Sequence, residues 1–562
     1  MAAEKKRYDL IVLGAGAGGM TAATVAALEG LRVLLIEESE YVGGTTAISG
    51  GMIWVPQNHL MARAGLPDSR SAAEAYLAAT VPEDSARAAL ATYLDTAPDA
   101  IRYLCEKTEV SLTPVTCYPD YYPDLEGATL GGRVLEPEPF DGRMLGPDFR
   151  CLRPPLQAFT ILGGMMVARN DIPHFRNVTA SPASLLRVAR LVVRHAIERL
   201  THARGTSLVL GNALAGRLFL SARRAGVTFR LATTVDQLLI ENGHCRGVRI
   251  DSKGSKPTEI RSDKGVVIAT GGFSHNLQFR RRMMPAVAEE LSATIETITG
   301  DGLRLATNAG ATLDTHGADP AFWVPVSARA AENGRTVVYP HTVTDRAKPG
   351  VIAVDQTGSR FVNEAVSYHE FVRAMLRSPN RAAMRAHLLC DARFLWRYGL
   401  GAIKPFTRRL EAFRRVGYLK SAASIESLAA EIGVDAVNLL ATVNRYNKAA
   451  TDGSDPDFGR GSDDYQRHLG DAAQRPNPCV AIIIKPPFYA VELRPGDLGT
   501  AAGLRTDKNA RVLRANDEAL AGLYAVGNDA SSIMRGNYPG PGITLGPALT
   551  FGYLAGLDAA RS

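Results

Sequence analysis

The chain is sparing with cysteine, with long apolar runs and with clustered charge, and each shortage removes a class of function. Its six cysteines, Cys105, Cys117, Cys151, Cys245, Cys390 and Cys479, stand apart with no C-x-x-C spacing. That pattern excludes a disulfide framework, a zinc site and an iron–sulfur cluster, so no metal is expected, and it fits a reducing compartment. No stretch reaches the ~18 unbroken apolar residues that a spanning helix needs. Without a zinc finger, a ribonucleoprotein motif or a sustained Lys/Arg run, nucleic acid is not an expected partner. The net charge of +7 is modest for 562 residues and suits solubility as well as an anionic membrane surface. The N-terminus, MAAEKKRYDLIVLGAGAGG, begins charged and then apolar, as a signal peptide does. Its apolar run breaks at once into glycines, so it reads as part of the fold of a cytoplasmic protein.

What is present is an ordinary globular composition, 46% apolar and 22% charged, on a chain too long for one hydrophobic core. Residues 8–13 (YDLIVL) predict a buried parallel strand, and Met20–Glu29 a helix. Between them Gly14, Gly16 and Gly19 form G-x-G-x-x-G, with Ala17 and Gly18 inside it. In that context the three glycines provide a tight turn, close approach of backbone to a pyrophosphate, and close helix–strand packing. The helix start offers free N–H groups and the positive end of its dipole to the phosphates. A second strand, Leu31–Ile36, ends at Glu37, placed to accept hydrogen bonds from ribose hydroxyls. These features predict a bound dinucleotide.

Four later segments narrow the dinucleotide. Gly43-Gly44-Thr45-Thr46-Ala47-Ile48-Ser49-Gly50-Gly51 resembles the segment that runs along the flavin diphosphate and ribityl chain in the fumarate reductase and succinate dehydrogenase flavoproteins. Val266–Gly272 (VVIATGG), Thr299–Gly302 (TGDG) and Gly522–Asn528 (GLYAVGN) resemble further elements of the same superfamily, in the same order. The resemblance implies FAD, contacted by Gly44, Thr45, Thr46, Ser49, Gly50, Gly51, Gly271, Asp301, Gly527, Asn528 and Leu545 as well as the first glycines. No histidine lies near Thr45 to carry a covalent link, so the FAD is expected to be non-covalent. The implied fold is α/β: a discontinuous Rossmann-like FAD-binding domain, residues 1–318 and 500–562, with an inserted α+β catalytic cap domain, residues 319–499.

The dicarboxylate chemistry of that superfamily is not expected here. Where its fumarate reductases carry a histidine pair, this chain has Asp497-Leu498-Gly499-Thr500-Ala501-Ala502-Gly503. Where they place a proton-donating arginine after RFVNE, this chain has Arg360–Glu364 followed by Tyr368. The segment Asn537-Tyr538-Pro539-Gly540-Pro541-Gly542, just before a helix over Ala548–Ala559, is locked by its prolines and glycines. It reads either as an oxyanion-type site that holds a tyrosine hydroxyl and free N–H groups, or as a rigid structural loop.

That YPGPG turn, with PDYY at Pro119–Tyr122, NE-x-x-x-Y at Asn363–Tyr368, GMIWVP at Gly51–Pro56 and PGDLGT at Pro495–Thr500, resembles the 3-ketosteroid Δ1-dehydrogenases. The resemblance implies that Tyr538 and Gly542 bind the C3 carbonyl, Tyr368 takes the C2 proton and Tyr121 supports Tyr368. Tyr118 and Tyr122 stand close to Tyr121 in sequence as rivals for its place. It further implies hydride transfer from C1 to flavin N5, a 3-ketosteroid substrate, and an electron acceptor for which a quinone is one option. Chemically, C2 gives up a proton only if charge on the C3 oxygen is stabilised, and tyrosines offer an apolar ring with one polar tip to a steroid pocket. The alternatives are a ketosteroid dehydrogenase or ene-reductase acting at C4–C5, and a non-catalytic flavoprotein that carries electrons or binds sterols.

Residues 135–230 depart from compact members of that family. Leu156–Ala168 is apolar but too short to span a bilayer. Ser181-Pro182 predicts a helix start, and the helix to Leu200 puts Leu185, Val188, Ala189, Val192, Ala196 and Leu200 on one face, opposite Arg187, Arg190 and Arg194. That pattern suits either peripheral docking on the inner face of the membrane through residues 155–205 or packing on the protein with a solvated arginine face. Membrane docking would favour an insoluble sterol-derived ketone such as cholest-4-en-3-one.

Overall fold

The computed structural model describes residues 7–562 apart from 180, 252–256, 285–286, 288–290 and 332–333; the charged residues before Arg7 lie outside it. Its main sheet is built on the strand Arg7–Leu13, whose apolar half is fully buried, as a central parallel strand requires. Val33–Ile36 and then Thr228–Arg230 pair parallel to one side of it. On the other side lies Thr258–Ile268, a strand with two sets of neighbours. Its first half runs antiparallel to His244–Asp251, and its second half runs parallel to both Arg7–Leu13 and Ala519–Ala525. The divide falls at Gly265, where φ is +121° and an added Cβ would lie 2.0 Å from the Gly522 carbonyl oxygen. The register Leu13↔Ile268↔Ala525 brings the turns after all three strands to one edge, the edge where α/β sheets bind ligands.

The helix Ala17–Leu28 is longer at its start than the apolar pattern predicts, and every residue from Ala17 to Ala26 is buried. Small residues allow this: the C-terminal helix Leu545–Arg561 lies against it so closely that a Cβ on Gly552 would sit 2.7 Å from the Gly18 carbonyl. A second, antiparallel sheet contains Thr336–Pro340, Ala321–Ala330, Phe488–Thr500, Ala386–Cys390 and Val351–Val354 in that order, with Lys420–Ala422 on the Phe488 end. A fully buried ion pair, Arg280–Asp497 at 2.6 Å, ties its long strand to the first sheet's side of the molecule, and Ser274 and Ser292 also donate to Asp497.

The apolar run Leu156–Ala168 forms a short turn and a small hairpin, Thr160–Ile161 with Met165–Met166. The helix Pro182–Thr201 follows, capped by Ser181 as its sequence requires. Its inward face corrects the helical-wheel reading. Ser184, Val188, Leu191 and His195 are buried, whereas Leu185, Ala189, Ala196 and Leu200 are exposed. The polar members of the inward face have partners: Ser184 meets His174 Nδ1 at 3.1 Å and His195 Nε2 meets the Leu162 carbonyl at 3.2 Å. Among the described residues no helix is long and apolar enough to cross a membrane.

Candidate active site

One cavity of about 840 Å³ runs from the glycine-rich edge of the first sheet to the second sheet. Every residue expected to touch FAD lines it except Gly19. Gly19 instead faces the strand: its Cβ would stand 2.0 Å from the Gly14 carbonyl oxygen. Gly14 has φ +101°, and its Cβ would meet the Ala269 oxygen at 2.2 Å. Gly16 has nothing within 4 Å of its added Cβ position, which opens into the cavity where a pyrophosphate needs backbone contact. The Thr45 hydroxyl is buried with no partner among the described residues, an orphan that suits a ligand oxygen. Glu37 is held in place by the N–H groups of Ala15 (2.7 Å) and Ser39 (3.0 Å), while burial pushes its carboxyl up. Residues 44–46, 48–51, 269–271 and 527–528 line the same cavity, so the cradle fits a flavin dinucleotide. Gly14→Ala is expected to weaken FAD binding by about tenfold or more, through positive-φ strain and the clash with Ala269. Flavin absorbance per chain after gel filtration checks this; full flavin content would contradict the role given to Gly14.

At the other end of the cavity three tyrosines from distant segments meet. Tyr538 stacks on Tyr121, with ring centroids 5.6 Å apart, and stands edge-on to Tyr368 at 5.2 Å. Tyr121 and Tyr368 meet edge-to-face at 5.7 Å, and Phe322 closes over Tyr538 at 5.5 Å. The two rivals for Tyr121's place differ: Tyr118 lines the same cavity, whereas Tyr122 does not. Tyr118 packs on His468, and the Tyr122 hydroxyl donates to Glu370 at 2.9 Å.

Local structure explains the placement. Tyr368 is the first residue of the helix Tyr368–Arg377, whose N-cap Ser367 accepts from the Glu370 N–H. Tyr538 and Gly542 sit in the YPGPG turn, which is docked on its surroundings along its length. The Pro539 carbonyl accepts from the Tyr76 hydroxyl and the Tyr121 N–H, and the Gly542 carbonyl accepts from the Trp54 N–H. Gly542 has φ +98°, and a Cβ there would strike the Met52 carbonyl oxygen at 2.5 Å. Among the described residues no acceptor takes up the Gly542 N–H. Below the turn the Trp54 indole donates to Asp120, and buried Arg133 bridges Asp120 and Asp68 at 2.9 and 2.7 Å. Arg373 bonds Glu370 and Asp319 and reaches Asn537 Oδ1 at 2.9 Å, tying the Tyr368 helix to the turn.

The hydroxyls sit in a poor environment for charge. Burial raises the Tyr368 phenol well above its ordinary pKa and Tyr538 adds to the rise, while the Tyr121 hydroxyl acts the other way. Burial also pushes Tyr538 up to about 12, offset in part by the Tyr368 hydroxyl. Tyr121 is raised by burial and by the neighbouring phenols, and its hydroxyl forms no hydrogen bond of normal geometry.

Four residues of the site escaped sequence reasoning. Tyr465 packs 4.7 Å from Tyr121 on its far side, with its own hydroxyl buried and unbonded among the described residues. Behind it the buried Arg346 guanidinium is held by the carbonyls of His341, Thr342, Glu364 and Val366, and its charge opposes the rise that burial causes in the Tyr465 phenol. Arg133 is the third. Asp529 is the fourth: it accepts from Thr270 and from the N–H groups of Gly271 and Gly272, shaping the turn against the cavity. Only Asp529 had a local signal, since it follows Gly527-Asn528 directly.

A family model described as an FAD binding domain matches residues 9–545. A 3-oxosteroid 1-dehydrogenase of Mycobacterium tuberculosis is 35% identical over 99% of this chain and 98% of its own length. A 4-oxocyclohex-2-ene-1-carboxylate 5-dehydrogenase of Sinomonas cyclohexanicum is 37% identical over 98% of this chain and 94% of its own. Among solved structures, 3-ketosteroid Δ1-dehydrogenase from Sterolibacterium denitrificans in complex with 1,4-androstadiene-3,17-dione matches with TM-score 0.92 at 36% identity, covering 99% of this chain and 100% of that one. The chain is a member of the FAD-binding oxidoreductase family, and within that family it belongs with the 3-ketosteroid Δ1-dehydrogenases.

Proposed function

We propose that the protein removes hydrogen from C1 and C2 of a 3-ketosteroid, with the Tyr121–Tyr368–Tyr538 cluster at the end of the flavin cavity as the observation that carries the reading. The Tyr538 hydroxyl and the free Gly542 N–H bind the C3 oxygen and stabilise the negative charge that builds there as C2 is deprotonated. Tyr368 accepts the C2 proton. Its phenol is too high for a standing phenolate, so the proton it already carries has to leave as the C2 proton arrives, and the adjacent Tyr121 hydroxyl is the group that relays it toward solvent. When bound, FAD supplies the acceptor for the hydride that leaves C1, and the C1–C2 bond becomes double. FAD is held without a covalent link, since no histidine or cysteine is among the described residues lining the cavity. Residues 1–318 and 500–562 form the FAD-binding domain, and 319–499 the catalytic domain, with the boundary at the end of the strand Phe488–Thr500. Turnover of androst-4-ene-3,17-dione with an artificial electron acceptor tests the reading. The expected product has lost two hydrogens and carries vinyl protons on C1 and C2 by NMR; desaturation of a 5α-saturated steroid at C4–C5 instead would overturn it.

The pH profile follows from the same groups. Tyr368 works by losing its proton, and its pKa is raised, so kcat/KM should climb with pH from 7 to about 10 without a plateau. Tyr538 works protonated and stays so to about 12, so no falling limb is expected in that window. A rate that declines between pH 7 and about 10 would contradict these roles.

The cytoplasmic protein docks peripherally on the inner membrane face through residues 155–205. The exposed side of the helix Pro182–Thr201 supports this. Leu185, Leu186, Ala189, Val193, Ala196, Ile197 and Leu200 fall on about a third of its circumference, and Leu186 is 73% and Leu200 83% exposed. Leu162, on the hairpin that contacts this helix, is exposed as well, and Arg190 borders the strip. An apolar strip flanked by arginine matches an interfacial helix better than a solvated one. Replacing Leu186, Ile197 and Leu200 by Asp should weaken sedimentation with anionic vesicles by roughly tenfold or more. Unchanged sedimentation would exclude the strip as the docking face. A sterol ketone with an intact side chain, such as cholest-4-en-3-one, is the substrate such a location favours.

A further inference from the structure

The cavity is lined by two cations that form no ion pair among the described residues. Arg176, on the short helix Ile172–Arg176, lines the cavity with its guanidinium 5.8 Å over the Tyr398 ring. Among the described residues it forms no hydrogen bond or ion pair, and its Nε is fully buried. The nearest carboxylate, Asp471, is already taken by Arg397 at 2.8 Å and by the Tyr398 hydroxyl at 2.6 Å. Lys404, on the loop after Tyr398, also lines the cavity, and its ammonium group has no acceptor among the described residues. Burial lowers the pKa of both side chains, and at Arg176 the charge of Asp471 offsets this only in part. A guanidinium left this way costs stability unless a ligand supplies the missing oxygens, and its planar fork fits a carboxylate.

The remaining wall there is apolar, with Phe159, Ile161, Phe175 and Ile403 among its residues. That composition suits the body of a steroid side chain rather than a fully polar ligand. Both cations lie in the same cavity as Tyr538 and Gly542 but on half-buried segments, whereas Tyr538 is almost wholly buried. A ketone bound at the tyrosines can extend the opposite end of its molecule along this cavity toward them. We infer that Arg176, assisted by Lys404, is a specificity-determining residue that recognises a carboxylate ending the ring-D side chain of the 3-ketosteroid. The inference rests on the proposed ketosteroid reaction and narrows its substrate to 3-keto steroid acids, in place of the neutral sterol ketone that membrane docking alone favours. A reaction that oxidises the side-chain terminus to an acid must then precede this step.

The test compares a 3-keto-4-ene steroid acid with its neutral carboxamide in the holoenzyme, without lipid. The acid should be preferred in kcat/KM by about tenfold or more, the scale of a charge-assisted pair in a half-buried site. Arg176→Met should bring the acid-to-amide ratio close to one, and Arg176→Lys, which keeps a charge on a similar stem, should keep part of it. A ratio near one in the wild type, or a ratio untouched by both substitutions, overturns the inference. So does an Arg176→Met enzyme that keeps the ratio but binds anionic vesicles less well, since the arginine would then serve lipid headgroups. If neither compound is turned over at all, the ketosteroid reaction itself is wrong and this inference falls with it.

Discussion

Tyr368→Phe is expected to keep its FAD and to lose about 10²–10⁴-fold in kcat, the range that a positioned general base contributes. The substitution removes one oxygen and leaves the ring, so the edge-on contacts with Tyr121 and Tyr538 that hold the cavity's shape survive. The helix also survives, because Ser367 caps it and Arg373 anchors it independently of the phenol. Stopped-flow reduction of the flavin by substrate separates this effect from acceptor chemistry. A mutant that reduces its flavin at the wild-type rate would remove Tyr368 from the mechanism.

Tyr538→Phe should cost about 10²–10³-fold in kcat, as loss of one preorganised donor to a developing oxyanion does elsewhere. The loss should appear in kcat more than in KM, because the C3 oxygen gains charge only as C2 is deprotonated. Gly542 cannot be probed the same way. Its N–H belongs to the backbone, and Gly542→Ala would force a Cβ into the Met52 carbonyl at positive φ, so lost activity there would report a broken turn. Wild-type kcat in Tyr538→Phe would assign the turn a purely structural role.

The cofactor cradle was legible because its physics is local. Gly14, Gly16 and Gly19 are needed by one strand, one turn and one helix that are contiguous, and the structure shows each serving a different contact. In the proposed catalytic cluster, Tyr538 was marked by its rigid turn as one of two readings, and Tyr121 and Tyr368 were legible only through resemblance. Nothing in the spacing of Tyr121, Tyr368 and Tyr538 marks them among eighteen tyrosines, since they meet only after both sheets have formed. The same reason hid Tyr465, Arg346 and Arg133. A buried arginine held by four backbone carbonyls has no sequence pattern, because its acceptors are main chain.

The helix Pro182–Thr201 shows a different limit. Its start, its length and its amphipathic character were readable from Ser181, Pro182 and the spacing of its leucines. Which arc faced inward was not. The wheel has apolar residues on more than one side, and the arc that packs includes Ser184 and His195, whose partners His174 and Leu162 come from outside the helix. Hydrogen bonds to the neighbouring hairpin and helix chose the inner face, and the leucines were left to the surface.

We propose that this chain's tyrosine-ended flavin cavity desaturates a ring beside its ketone. Anaerobic mixing of the purified yellow protein with a 3-keto-4-ene steroid, with no other electron acceptor present, tests it most directly. Prompt bleaching of the flavin absorbance is expected, and extraction of the mixture should yield the steroid with a new C1–C2 double bond. A flavin that stays oxidised with excess steroid, or that bleaches while the steroid's C1 and C2 keep all their hydrogens, would contradict it.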